Sequence, residues 1–263
     1  MTVDVLDGIS LADATTLLPY WQTAPVVLRG AVNASELTPD PDTVYAILTE
    51  TDLPARLITG TEGATFTVDR GPFAHFEPPK GPWTVLIQAL EHLFPEYDQL
   101  RQAMNWLPSW RFEDCMLSWA NVGGSVGRHF DHFDVFLVQL SGRREWSIGP
   151  RADNQTPLQP HQPLALVTDN PPDLTLTVEP GDVIYIPPHV IHHGISLDPD
   201  CMTLSIGFRA PDVGQIFESL IEQLGDEVPW HRYQDGTLAP RRGPAEITEA
   251  DLDRVRALLI DYA

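Results

Sequence analysis

Glu179-Pro180-Gly181-Asp182-Val183-Ile184-Tyr185-Ile186-Pro187-Pro188 reads as a turn, a strand and a stop. Gly181-Asp182 is turn chemistry, and Val183 to Ile186 is an unbroken β-branched and aromatic run. Two prolines then end it, since neither can donate to a sheet ladder. Working outward, residues 115–120, 135–140, 145–148, 174–178 and 202–208 form further short β-type segments, most of them bounded by Gly or Pro. The 25 prolines and 18 glycines of the 263-residue chain punctuate many short apolar runs, which favours a β-rich body over a helical bundle. Closely spaced antiparallel strands of this kind predict a double-sheet jelly roll.

The flanks read differently. The first third is mixed: residues 25–29 form a short β-type run, and Pro82 opens a helix carrying Trp83, Leu86, Ile87 and Leu90, which Pro95 breaks. After Arg209 the apolar period becomes helical. Asp212 caps a helix with Val213, Ile216, Phe217, Leu220, Ile221 and Leu224 on one face, and Gly225 ends it. Thr248 and Asp251 resemble a capping box before Leu252, Val255, Leu258 and Leu259, with 229–244 an irregular connector. The expected organisation is a mostly β body with flanking helices over 1–210, followed by a helical segment over 211–263. The apolar stripes of that segment need a surface, either on the same chain or on a second copy.

Composition narrows the function classes. The chain carries 37 acidic and 16 basic side chains, a formal charge of −21, and Lys80 is its single lysine. That balance argues against non-specific nucleic-acid binding, which needs cations to displace phosphate counterions. It fits a cationic partner, and it fits solubility or a salt-rich setting equally well. No run of about 18 apolar residues offers a membrane span, and residues 1–10 are acidic where a secretory signal would be basic and apolar. Cys115 and Cys201 cannot form a disulfide framework, so a reducing cytoplasm is the expected compartment.

The chemistry-bearing stretch is Gly127-Arg128-His129-Phe130-Asp131-His132-Phe133-Asp134-Val135. On a strand, residues two apart share a face, so His129 and Asp131 present imidazole and carboxylate together. Two histidines and one carboxylate on one face leave open metal positions, the arrangement of non-haem Fe(II) oxygenases. The third ligand must come from another strand, and His189, His192 and His193 follow Pro187-Pro188. Spacing alone does not choose among these three. His132 points away from the pair, and His75, His92, His161 and His231 lack a partner pattern. Ser141-Gly142-Arg143-Arg144-Glu145-Trp146 reads as a tight turn into a strand that is the hairpin partner of the metal segment. One of its arginines should face inward, where a planar fork can hold a carboxylate bidentately. Asp134 and the acids around Asp114 are candidates for negative potential at the mouth of the site.

Over nearly its whole length the chain resembles the JmjC-type, cupin-fold ribosomal oxygenases of bacteria, the YcfD type. The likeness runs through Tyr20-Trp21-Gln22…Pro25…Arg29-Gly30, His129-x-Asp131 with Asp134-Val135-Phe136 and Gln139, and Gly142-Arg143-Arg144-x-Trp146. It continues through the Glu179–Pro188 stretch quoted above and Ser205-Ile206-Gly207-Phe208-Arg209-Ala210-Pro211. The resemblance implies a double-stranded β-helix, with Fe(II) held by His129, Asp131 and His192. It also implies 2-oxoglutarate bound by Arg144, with Ser118 and Thr203 as further partners, and O2 as the second co-substrate. The implied reaction is hydroxylation of an arginine side chain on a basic large-subunit ribosomal protein, by a homodimeric cytoplasmic enzyme. Histidyl hydroxylation, demethylation and a non-catalytic metal-binding cupin are the competing expectations. The family type continues beyond the dimerisation helices into a winged-helix module, which the residues up to Ala263 do not contain. A truncated chain and a member lacking the module are both consistent with that. His193 stands where relatives carry an acid.

Overall fold

The structure is a computed structural model that describes residues 3–168, 171–224 and 247–260. Two compact units divide the chain, Met1–Ala210 and Pro211–Ala263. The first begins with β1 (Asp4–Asp7), α1 (Ala14–Leu17), β2 (Val26–Arg29), α2 (Pro41–Glu50), β3 (Ala55–Thr59) and β4 (Thr67–Arg70). It continues with β5 (Trp83–Ile87), α3 (Pro95–Ala103), β6 (Phe112–Ala120), β7 (Asp134–Ser141) and β8 (Arg144–Arg151). It closes with β9 (Leu174–Val178), β10 (Val183–Ile186), β11 (Val190–Ser196) and β12 (Cys201–Phe208).

Among the described residues, one sheet has nine strands in the order β1-β2-β10-β7-β12-β6-β5-β3-β4, and a second has the order β11-β8-β9. Apart from the parallel β1–β2 pair, every ladder is antiparallel. The two sheets are the layers of the expected jelly roll. Val27, Val135, Leu137, Ile184 and Ile186 of the large sheet pack with Trp146, Ile148, Val178 and Val190 of the small one. The alternate residues Val26, Leu28, Phe136, Val138, Val183 and Tyr185 pack on the other face, with Val44, Ile47 and Leu48 of α2 and with Tyr97 of α3. The central strands are therefore buried on both faces and read as continuous apolar runs.

That double burial explains one correction. The segment from Pro82 is the strand β5, not a helix, and Trp83–Ile87 is buried at every residue. A run buried on both faces carries no period to separate strand from helix. Pro95 does not end a helix either. It opens α3 at the first helical position, where its missing N–H costs nothing. A second correction concerns Ser141-Gly142. The strands on either side do not form a hairpin, because β7 pairs with β10 and β12 while β8 pairs with β9 and β11. The turn instead carries the chain from one sheet to the other, with Gly142 at φ 62° against the Cys201 backbone.

The second unit contains α4 (Val213–Leu224) and α5 (Glu249–Ile260). Asp212 Oδ1 accepts the Gln215 N–H at 2.9 Å, capping α4. Thr248 and Asp251 make the reciprocal bonds of a capping box, Thr248 N to Asp251 Oδ2 at 2.8 Å and Asp251 N to Thr248 Oγ1 at 3.3 Å. Gly225, the 229–244 connector and His231 lie outside the described residues.

Candidate metal centre

His129 and Asp131 lie on an extended segment ahead of β7 rather than within a named strand. Backbone bonds to the small sheet hold that segment. His129 N donates to His192 O at 3.0 Å, His192 N to His129 O at 2.8 Å, and His189 N to Asp131 O at 2.7 Å. The first two form an isolated antiparallel bridge, which sets the His129 and His192 side chains next to each other. One ligand atom from each of His129, Asp131 and His192 lies within 4.8 Å of the others. Asp131 Oδ2 is 3.9 Å from His129 Nε2 and 3.5 Å from His192 Nε2.

The imidazoles are oriented for coordination. Nδ1 of His129 is 2.9 Å from Gly127 O, and Nδ1 of His192 is 2.9 Å from Val190 O. A carbonyl oxygen only accepts, so each Nδ1 carries a proton, and Nε2 is the atom each ring would offer to a metal. Burial, reinforced by the neighbouring His129, pushes the pKa of His192 down to about 4, so this ring is neutral at physiological pH. The donor set of two imidazoles and a carboxylate fits a divalent transition metal with open positions.

The other histidines go elsewhere. His193, on the opposite face of β11, is buried with Nδ1 3.9 Å from Glu62 Oε2. His189 has left-handed backbone (φ 67°) and packs its ring against Phe130 and His132.

The three residues open onto a cavity of about 400 Å³ between the sheets. At its deep end Arg144, on β8, is 3% exposed, and its Nη2 donates to Ser118 Oγ at 3.2 Å. Its Nε has no partner among the described residues. Arg143 points outward, with Nε and Nη2 each 2.9 Å from the Asp198 carboxylate. Ser118 on β6 and Thr203 on β12 stand opposite each other in register and both line the cavity. Thr203 Oγ1 donates to Gln139 Oε1 at 2.9 Å. Along β11, Ser196 stands opposite Arg144 and lies four residues beyond His192, roughly 13 Å of strand. Gly194 leaves room for the Trp146 ring along this wall, since a Cβ there would meet that ring at 2.8 Å.

At the mouth stand Glu113, Asp114, Gln88, Arg56, Phe133 and Arg209. Arg209 Nε lies 3.0 Å from Glu113 Oε2, and Gln88 Nε2 donates to Asp114 Oδ2 at 3.3 Å. Burial raises the pKa of Asp114, against the lowering effect of Gln88. Asp134, the other acid expected here, is elsewhere. It is fully buried on the opposite face of β7, accepting from Tyr185 Oη at 2.6 Å, Arg111 Nη2 at 3.0 Å and Gln22 Nε2 at 3.1 Å. Phe133 and Arg209 lie inside quoted motifs that carry no role for them, whereas Arg56 and Gln88 lie in the mixed first third, outside every motif.

The JmjC domain profile matches residues 99–216. The chain is 32% identical over 244 residues to the ribosomal protein uL16 3-hydroxylase of Escherichia coli, covering 92% of this chain and 65% of that protein. It is 31% identical to a probable ribosomal oxygenase of Haemophilus influenzae, covering 93% of this chain and 62% of that one. It thus spans somewhat less than two thirds of the length of these relatives. The solved structure of the Escherichia coli ribosomal oxygenase YcfD with cobalt and 2-oxoglutarate superposes with a TM-score of 0.77 at 29% identity, covering 95% of this chain and 66% of the other. Residues 99–216 match the JmjC domain, the fold is that of the cupin barrels, and the chain is similar over nearly all of its length to bacterial ribosomal oxygenases.

Proposed function

We propose that the chain is an Fe(II)- and 2-oxoglutarate-dependent protein oxygenase that hydroxylates an arginine side chain of a large-subunit ribosomal protein. The observation that carries this reading is the His129–Asp131–His192 cluster facing the same cavity as the buried Arg144. A metal held only for structure has no use for a buried cation beside it. Bound iron with 2-oxoglutarate and O2 would supply the insertion of one oxygen into a C–H bond, with succinate and carbon dioxide as the other products.

Within that chemistry the chain's own residues orient and protect. His129, Asp131 and His192 would hold the metal, and the cavity they face would admit the co-substrate. Arg144 holds the distal carboxylate of the co-substrate, with Ser118 steadying the guanidinium and Thr203 completing the polar wall. Ile58, Leu86, Met116, Val126, Leu164 and Leu166 keep the surroundings apolar. Asp114 and Glu113 give the mouth carboxylates that suit a cationic side chain. Mass spectrometry of ribosomal proteins incubated with the enzyme, Fe(II) and 2-oxoglutarate tests the reading. Gain of one oxygen on arginine is expected; oxygen on histidine, loss of a methyl group, or no change with metal and co-substrate bound would sink it.

The same reading places the oxygenase in 1–210 and dimerisation in 211–263, acting in the cytoplasm. Its support is the apolar face of α4, where Ile216 is 54% and Phe217 49% exposed. Sedimentation should give a dimer that Ile216→Glu with Ile221→Glu converts to a monomer.

A further inference from the structure

Three arginines line the cavity, and two of them have protein partners, Arg144 on Ser118 and Arg209 on Glu113. Arg56 is half-buried, yet among the described residues its side chain makes neither a hydrogen bond nor an ion pair. In register it stands opposite Leu86 on β5, which stands opposite Ser118 on β6, so its side chain leaves the cavity face of the sheet about 10 Å from Ser118. Across β4 it faces Arg70, a like charge directly opposite, which disfavours the pair. Burial and Arg70 push its pKa down, while Asp114 at the mouth and Asp131 at the metal site oppose them. Five donors, partly desolvated and unmet, cost free energy until a ligand brings oxygens.

The co-substrate is a poor source of those oxygens, because its distal carboxylate has Arg144 at the sealed end. An acidic peptide side chain is also poor, since it would meet Asp114 and Glu113. Main-chain carbonyls remain, and every peptide that sends a side chain into a cavity carries them at its entrance.

We propose that Arg56 is a positioning residue for the substrate peptide, donating its guanidinium N–H groups to main-chain carbonyl oxygens beside the side chain that enters past Asp114. This rests on the oxygenase reading above and deepens it. Calorimetry on the full chain, with Zn(II) in place of iron, tests it using two probes: 2-oxoglutarate, and a synthetic uL16 peptide centred on an arginine. Arg56→Met should raise the Kd of the peptide about 10- to 100-fold, and leave that of 2-oxoglutarate within about twofold, which also certifies the fold. Arg56→Lys, with the charge but not the fork, should recover part of the loss. Weakened 2-oxoglutarate with peptide binding intact, or no change in either, would overturn the assignment. A wild-type chain that binds 2-oxoglutarate but no peptide overturns this assignment and the proposed substrate together, and the wild-type titration alone reveals it.

Discussion

At the deep end of the cavity Arg144 is almost wholly buried with one hydrogen bond to Ser118, whereas at the mouth Arg209 is exposed and faces Glu113 at 3.0 Å. At the deep end, among the described residues, no carboxylate pairs with the desolvated Arg144 guanidinium. At the mouth the Arg209–Glu113 pair is balanced within the protein and kept wet. A buried, unbalanced cation suits one small anion of fixed shape. Wet, mixed charges suit a large partner that must come and go. Between the two ends stands the His129–Asp131–His192 cluster, on which both must converge if the proposed reaction is right.

The hardest way to break this comparison is to remove the centre. His129→Ala and Asp131→Ala should each abolish Co(II) binding, read from the visible absorption of the cobalt-loaded chain, and reduce succinate formation by more than about 100-fold. Loss of a ligand exceeds the 10- to 100-fold typical of changes one shell further out. Survival of activity in both variants would break the site assignment.

Next in size is the deep end. Arg144→Met should weaken 2-oxoglutarate by about 3 kcal/mol, roughly 100-fold, as for truncation of one member of a buried charge pair. The same change should leave the thermal midpoint unchanged or higher, because it removes a buried charge with an unmet Nε. A large fall in stability with normal co-substrate affinity would turn Arg144 from a ligand into a structural residue.

The mouth should respond more weakly, and to pH. Burial holds the pKa of Asp114 above the ordinary carboxylate value, so its charge is lost at higher pH than usual on acidification. A cationic substrate binds the ionised form. Peptide KM should therefore rise as pH falls through this raised pKa, and Asp114→Asn should raise KM about 10-fold while flattening that profile. A profile unchanged by the substitution would remove Asp114 from the substrate path.

These contrasts were unevenly legible in the chain. Strands β9 and β10 start and stop where their turn residues say, because Gly-Asp and Pro-Pro act locally. The partners of β7 and β8 were not legible, since pairing across two sheets is decided by residues some fifty positions away. β5 lost its period through burial on both faces. The pairing of His129 with Asp131 came from spacing, but what separates His192 from His189 and His193 is a backbone bridge and a left-handed turn. Asp134 was misplaced because charge in a sequence suggests solvent, and its burial is supported by Arg111, Tyr185 and Gln22, none of them adjacent to it.

The smallest test returns to the deep end. Ser118 Oγ is the hydrogen-bond partner of Arg144 among the described residues, at the long distance of 3.2 Å, and it sits opposite Thr203, which is itself tied to Gln139. If Ser118 only steadies the guanidinium, Ser118→Ala should cost about 1 kcal/mol, raising the KM for 2-oxoglutarate roughly fivefold with peptide KM unchanged. If it also contacts the co-substrate, the loss should approach that of Arg144→Met, and the double variant should show strong non-additivity. A rise in peptide KM instead would mean that the two ends of the cavity are not separate, because a change at the buried end would then be felt at the mouth some 13 Å of strand away.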